Sequence, residues 1–442
     1  MAHSNIKNMY RRLGKKIDSL PTRVPWNDTL YAILKELYTP QEAEVLIRMP
    51  YGLSSFERVA RVTRFDKAML RTTLDSLCDK GLVFDVWVKD QYRYIPAPLA
   101  VGIFEMTMMR TRGELEYPKW AKLFHEYLQG DDSFYAANFK HRQKISIMRT
   151  LPHEEAIDEA GLGEPGFVEV LDYEKASAIV ADSGKLAIGL CSCRHEKLHV
   201  GEKSCNVPLE TCSSFGSNAE ILIRHGMARE VSKSEMLENI AKSKELKLAL
   251  TADNVQQNVG FICHCCGCCC NLMLGISEHG YPNTIVTSNY ISKIDQEKCT
   301  GCEKCAKKCP VQAITMVPIE NPRTKKPKDA IVDESICLGC GVCALTCHKD
   351  AVRLVKREQR VIHPETTFER VILASLERGT LQNQIFDDPQ SISQQYLRAL
   401  VGGFLRLSPV KQALMSDQLR SRFLAALKSG VQRQGKAWLV EA

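Results

Sequence analysis

No stretch of the 442 residues approaches the roughly 18 consecutive apolar residues that a membrane-spanning helix needs. The opening "MAHSNIKNMYRRLGKKIDSL" lacks the apolar core of a secretory signal. The expectation is a soluble, cytoplasmic protein whose thiols stay reduced. Outside residues 191–347 the chain has a single cysteine, Cys78. With 19 cysteines in 442 residues, it falls short of the small disulfide scaffolds. The expectation is that neither a P-loop nor a dinucleotide fingerprint is present. No general base, nucleophile or substrate pocket is visible either. By these absences the chain does not read as a self-sufficient enzyme.

The length suits two to four domains, and a hydrophobic content of 44% can bury real cores. The net charge of +7 comes largely from residues 1–24, from Arg323 to Lys328 and from residues 403–442. Such patches suit nucleic acid, anionic lipid, an acidic partner or plain solvation.

Residues 1–26 read as a basic helical segment. Residues 27–100 read as a small domain of three helices and a hairpin. "TPQE" (Thr39 to Glu42) is a capping box with proline at the first helical position. "SSFERVARV" opens a second helix, and "DKAMLRTTLDSLCDKG" forms a third that ends at Gly81. "LVFDVWV" and "QYRYIP" alternate as strands around a Lys89-Asp90 turn. This order resembles a winged helix–turn–helix. The third helix sets Asp66, Asp75 and Asp79 against Lys67, Arg71 and Lys80. It carries no basic footprint, so packing or docking is favoured over DNA binding. Residues 101–290 read as a cysteine-rich α/β domain, with "KLAIGL" as a strand leading into Cys191 and a helical stretch over 218–250.

The strongest signal is a doubled run, C-x2-C-x2-C-x3-C. The first copy is Cys299, Cys302, Cys305 and Cys309; the second is Cys337, Cys340, Cys343 and Cys347. Three closely spaced thiolates can wrap one face of a cubane, and soft sulfur suits iron–sulfur clusters. "YISKID" and "AITMV" flank the first run, and "AIVD" and "AVRLV" flank the second, which predicts two strand pairs around two short helices. Residues 291–357 resemble bacterial two-[4Fe–4S] ferredoxins. That resemblance implies that the fourth cysteine of each run serves the other cluster. Cys299, Cys302, Cys305 and Cys347 would then hold one cluster, and Cys337, Cys340, Cys343 and Cys309 the second. Gly301, Gly339 and Gly341 would let the backbone approach the clusters and offer N–H groups to their sulfurs. Two departures stand out. His348 replaces the usual proline after the fourth cysteine, and "PIENPRTKKPK" enlarges the segment between the runs.

Two further constellations precede that domain. Cys191, Cys193, Cys205 and Cys212 lie within 22 residues, with Arg194 and His195 beside them. They suit a third [4Fe–4S] cluster, a zinc ion, or sharing with the next motif, and Arg194 is a candidate to donate to the bound group. "CHCCGCCC" packs six cysteines into eight residues. Adjacent side chains diverge, so only a subset can bind one cubane: Cys263, Cys265 or Cys266, Cys268 and Cys270. "CCG" also occurs in heterodisulfide-reductase-like subunits, but the other spacings of that domain are missing. His264 reads either as a ligand or as a neighbour.

More widely, the chain resembles larger ferredoxin-type iron–sulfur proteins of anaerobic metabolism, with a winged-helix-like region, a C-x-C-R set and a dense C-x-C-C stretch. The resemblance implies electron carriage beside a flavin or metal redox enzyme. Residues 358–442 add a tail of three amphipathic helices for packing, docking or a homo-oligomer. The overall expectation is an α+β multidomain chain with two [4Fe–4S] clusters and one or two more. The alternatives are a redox-sensing winged-helix regulator, an oxidoreductase with a catalytic cysteine-rich cluster, and a corrinoid-linked reductase.

Overall fold

The computed structural model describes residues 2–139, 143, 145–157, 171–319 and 326–441. The chain forms two compact units with interleaved segments. One comprises Met1–Asn138, Ile221–Ala228 and Glu365–Ala442; the other comprises Phe139–Glu220 and Arg229–Pro364. The five-part linear division drawn from the sequence therefore runs through both units. The dicluster segment and the other clustered cysteines share the second.

The first unit is mainly helical. The helix Ala2–Asp18 buries Tyr10, Leu13 and Ile17. The helix Pro40–Arg48 starts at the expected capping box: the Thr39 hydroxyl accepts from Glu42 N, and the Glu42 carboxylate accepts from Thr39 N at 2.8 Å. The next helix is Phe56–Thr63, capped by Ser55. Ser54 and Ser55 form a short strand against Gln91–Pro96. The helix Lys67–Asp79 is capped by the Asp66 carboxylate, which accepts from Ala68 N and Met69 N at 3.0 Å each. Strands Val83–Val88 and Gln91–Pro96 form the expected hairpin. Lys89 and Asp90 both take positive φ, 49° and 58°, as a tight two-residue hairpin turn requires.

The tail has more helices than its periodicity suggests. Thr367–Arg378, Leu381–Ile385 and Ile392–Leu405 come first, followed by Ser408–Met415 and Asp417–Arg433. The predicted third helix breaks at Ser416, whose hydroxyl caps the following segment by accepting from Leu419 N.

The second unit is built on a seven-stranded sheet. Its order is Ile285–Val286, Met148–Leu151, Ala249–Asp253, Phe261–Cys265, Glu210–Phe215, Leu186–Leu190 and Ala228–Glu230. The edge pair Ile285–Val286 with Met148–Leu151 is parallel, and the next four pairings are antiparallel. This corrects the α/β expectation for the central region: the sheet is a mixed, mostly antiparallel one, and the fold is α+β. Ala249–Asp253 is buried at every residue, so it shows no alternation from which sequence could detect a strand. A core of Leu151, Ile188, Phe215, Leu250 and Ile262 packs with the helix Ala176–Asp182 and Met236.

After the sheet come two antiparallel pairs, Tyr290–Ile294 with Val352–Lys356 and Ile314–Pro318 with Lys328–Val332. The short helices Lys304–Lys308 and Val342–Thr346 lie between the strands of these pairs in sequence. This is the layout expected of the doubled motif. Much of the enlarged connection, residues 320–325, lies outside the described residues.

Candidate iron–sulfur and thiol centres

The two short helices present the cysteine runs in matching ways. Gly301 and Gly339 occupy equivalent positions with φ near +68° and +67°. Two residues on, Glu303 and Gly341 cap the helices at φ 64° and 85°. The glycine requirement at 339 is steric as well as conformational. A Cβ there would stand 2.1 Å from Tyr290 O and 2.4 Å from Ser288 Oγ. The backbone at 339 is thus pressed against the strand Tyr290–Ile294, which fixes the loop carrying Cys337 and Cys340.

Cys309 lines one small pocket with Cys337, Cys340 and Cys343. Cys309, the fourth cysteine of the first run, thus lies beside the first three cysteines of the second run. Cys337, Cys340 and Cys343 are buried. The Ser292 hydroxyl lies 3.0 Å from Cys343 Sγ, and Ala313 N donates to Cys309 Sγ at 3.2 Å. Burial pushes the Cys343 thiol up to about 12 and Cys340 well above its usual value. Such thiols become thiolates only with a compensating positive charge, which cluster iron supplies. The donor set, the space between the sulfurs and the N–H and O–H groups aimed at them fit a [4Fe–4S] cluster.

The other ferredoxin-type site is more open. Cys305 is buried, Cys299 is partly exposed and Cys302 is exposed. Cys347 joins Cys299 and Cys305 in one apolar cluster. The same cluster also takes in Cys309 and Cys343, so the two ferredoxin-type sites adjoin.

The remaining cysteines are regrouped relative to their order in sequence. Cys193 contacts Cys270, Cys270 contacts Cys265, Cys265 contacts Cys263, and Cys263 contacts Cys212. Cys191 lies close to Cys193 and Cys212. The "CSCR" cysteines thus meet the outer members of "CHCCGCCC". Cys191 and Cys270 sit at helix N-caps, of Ser192–His199 and Asn271–Ser277. Backbone N–H groups there point at sulfur: Arg194 N at Cys191, Asn271 N at Cys193 and Met273 N at Cys270. Helix N-termini favour thiolate, but burial prevails at Cys191 and pushes its thiol up to about 12. Hydrogen bonds from Cys263 and Cys270 hold the Cys265 thiol down, to about 6.

Cys205 joins a different group, with Cys266, Cys268 and Cys269. Cys269, the one member of the dense stretch not singled out above, is buried. The spacing of six thiols in eight residues could not say which of them turn together.

Arg194 is buried between the two groups. Its guanidinium donates to Thr211 Oγ1 at 2.5 Å, to Pro208 O at 3.2 Å and to His264 O. Burial opposes its charge, but nearby Cys191, Cys266 and Cys265 raise its pKa overall. His264 faces away from the thiols. Its Nε2 lies 2.8 Å from Ser213 Oγ and its Nδ1 2.5 Å from Ser243 Oγ. Burial, Arg194 and His153 lower its pKa to about 3, so the ring is neutral and both nitrogens are taken. His264 is therefore a neighbour of the site and not a ligand. His195 pairs with His199, Nε2 to Nε2 at 3.1 Å.

The expectation of no dinucleotide fingerprint is corrected to this extent: its letters occur at Gly161, Gly163 and Gly166, after an acidic stretch rather than an apolar strand. They lie outside the described residues. Among the described residues no helix is long and apolar enough to cross a membrane.

In comparisons with known proteins, no curated protein and no solved structure matches the chain. The family model of the 4Fe-4S dicluster domain matches residues 298–351, the stretch that holds both cysteine runs. The chain carries a ferredoxin-type iron–sulfur domain.

Proposed function

We propose that this chain is the electron-relay subunit of a larger redox complex, passing single electrons through two ferredoxin-type [4Fe–4S] clusters and a further cysteine-held centre. The observation that carries the reading is continuity. Cys265 and Cys270, with Cys263 beside them, share one buried cluster with Cys337, Cys340 and Cys309. The thiol-dense region therefore adjoins the inner ferredoxin site. Exposure rises outward from there, from buried Cys340 and Cys343 to exposed Cys302. A partly buried centre, a buried middle cluster and a surface cluster make a path that ends at the exposed Cys302.

On this reading the third centre uses thiols from Cys191, Cys193, Cys212, Cys263, Cys265 and Cys270, with Arg194 offsetting their charge. The site at Cys299, Cys302, Cys305 and Cys347 is where a flavin or metal enzyme of the cytoplasm exchanges electrons. Lys304, Lys307 and Lys308 are exposed beside it and suit an acidic partner. The N-terminal helices and three-stranded sheet are a winged-helix-like docking module rather than a DNA reader. The exposed aromatic pair Trp87 and Tyr92 on its hairpin, with ring centroids 4.8 Å apart, supports docking.

The test is a reductive titration of anaerobically purified full-length protein, with iron and acid-labile sulfide measured on the same sample. The proposal expects about 12 iron and 12 sulfide per chain and three one-electron steps. About 8 of each would limit the relay to the ferredoxin pair. Clusters that fail to exchange electrons with one another would overturn it.

A further inference from the structure

Four thiols in the second unit stand closer together than a cubane allows. Cys205, Cys266, Cys268 and Cys269 each offer one sulfur, and all four sulfurs lie within 4.8 Å of one another. Cys205 Sγ is 3.9 Å from Cys266 Sγ and 3.8 Å from Cys269 Sγ, and Cys268 Sγ is 3.4 Å from Cys269 Sγ. A single ion with metal–sulfur bonds of about 2.3 Å in tetrahedral geometry sets its ligand sulfurs about 3.8 Å apart. A [4Fe–4S] cluster binds each thiolate through a different iron, so its ligand sulfurs must stand wider than those around one ion.

We propose that Cys205, Cys266, Cys268 and Cys269 hold one zinc ion in a closed, structural four-thiolate site. Four protein ligands leave no position for water or substrate, which is the mark of a structural rather than a catalytic zinc. The site has something to hold. Cys205 lies in residues 203–209, which form no helix or strand, and the other three ligands lie in or beside the turn at residues 267–269. The ion ties that irregular segment to the turn. Four thiolates around a divalent ion leave an excess negative charge, and two cations answer it. Arg194 hydrogen-bonds Cys266, and Lys203 Nζ donates to Cys205 O. Soft thiolates also exclude magnesium and calcium.

This goes beyond the relay reading, because zinc carries no electrons. The experiment compares full-length wild type with Cys205→Ser and Cys269→Ser, purified anaerobically, for zinc, iron and acid-labile sulfide. About one zinc per chain is expected in the wild type, with a single shell of sulfur near 2.3 Å by zinc X-ray absorption. Both variants should lose the zinc and keep wild-type iron and sulfide. Should a variant not fold, chelation of the wild type supplies the second readout: zinc leaves, cluster absorbance stays, and amide exchange rises in residues 203–209. Loss of about four iron and four sulfide in either variant would overturn the proposal in favour of a cubane. One iron without sulfide in place of zinc would overturn the metal assignment, and unchanged metal content would overturn the site. None of these outcomes alters the iron held by the eight ferredoxin-type cysteines, so failure here is distinct from failure of the relay.

Discussion

Gly267 stands directly against Pro310: a Cβ built on Gly267 would lie 2.8 Å from the Pro310 carbonyl oxygen. The glycine belongs to the dense cysteine stretch, and the proline follows Cys309 in the inner ferredoxin-type site. A side chain at 267 must push these two loops apart. Gly267→Val is expected to destabilise the protein by about 2 kcal/mol. It should also slow electron equilibration between the inner cluster and the thiol-dense centre. Thermal melting checks the first effect and rapid-freeze spectroscopy after a reductive pulse checks the second. Unchanged equilibration in a destabilised variant would show that the contact is structural alone.

Ser292 provides a lever on one cluster. Its hydroxyl lies 3.0 Å from Cys343 Sγ inside the buried site. A hydrogen bond to a ligand sulfur favours the reduced, more negative state and raises the potential. Ser292→Ala should lower the potential of the inner cluster by roughly tens of millivolts, on the basis of a bond worth about 1 kcal/mol. The cluster served by Cys299, Cys302 and Cys305 should not move. Potentiometric titration followed by electron paramagnetic resonance separates the two.

The dicluster region was legible because its information is local. Cysteine spacing marks the stretch that the dicluster family model matches, and alternation in "YISKID" and "AVRLV" names the strands that pair at Tyr290–Ile294 and Val352–Lys356. The thiol-dense region was not legible in the same way. Its grouping depends on strand Glu210–Phe215 lying beside Phe261–Cys265, a pairing across about 50 residues that no local pattern reports. That pairing sends Cys212 to Cys263 and leaves Cys205 to meet Cys266, Cys268 and Cys269. Strand alternation then decides His264: with Cys263 and Cys265 turned to one face, the imidazole must turn to the other, toward Ser213 and Ser243.

His225 makes the first unit sensitive to pH. Its Nδ1 lies 2.7 Å from Asp79 Oδ1 and its Nε2 2.9 Å from Asp85 Oδ1. Burial opposes the charged ring, but the hydrogen bond and attraction to Asp85, with Asp79 adding, raise its pKa above 6.5; Arg224 acts against them. A group with a raised folded pKa stabilises fully below its unfolded pKa and loses that contribution as pH rises through the folded value. Stability should therefore fall as pH rises above about 6.5, and His225→Gln should flatten that slope while lowering stability at pH 6. Denaturant melts at several pH values decide it. A wild type and variant with parallel profiles would remove His225 as the cause.

The helix Ile392–Leu405 carries an uncovered stripe. Ile392, Tyr396, Leu400 and Phe404 recur every four residues and are 83%, 69%, 58% and 58% exposed. Spacing of four keeps them on one face. A second copy of the chain, presenting the same stripe, would bury it across a two-fold axis. The full-length protein should sediment as a dimer, and Tyr396→Glu with Phe404→Glu should return it to a monomer without loss of helicity. A wild type that is monomeric at micromolar concentration would leave the stripe to a different protein.

The outer cluster site supplies the last expectation, because its surroundings are charged as well as open. Cys302 is exposed, and Lys304, Lys307 and Lys308 lie exposed on the adjoining helix. Part of that charge is already answered: Glu303 lies 3.5 Å from Lys307 and 2.6 Å from Lys328. The remainder can steer an acidic redox partner toward the thiolates that reach the surface. Steering of this kind acts on the association rate and is screened within about 10 Å at 0.1 M salt. Replacing Lys304, Lys307 and Lys308 with glutamate should cut the bimolecular rate of reduction by an acidic flavoprotein roughly tenfold at low ionic strength. The difference should shrink as salt is added, and the cluster potentials and iron content should hold. A rate insensitive to both charge and salt would mean that electrons enter elsewhere, and the buried Cys263–Cys270 region would then be the end that meets the donor.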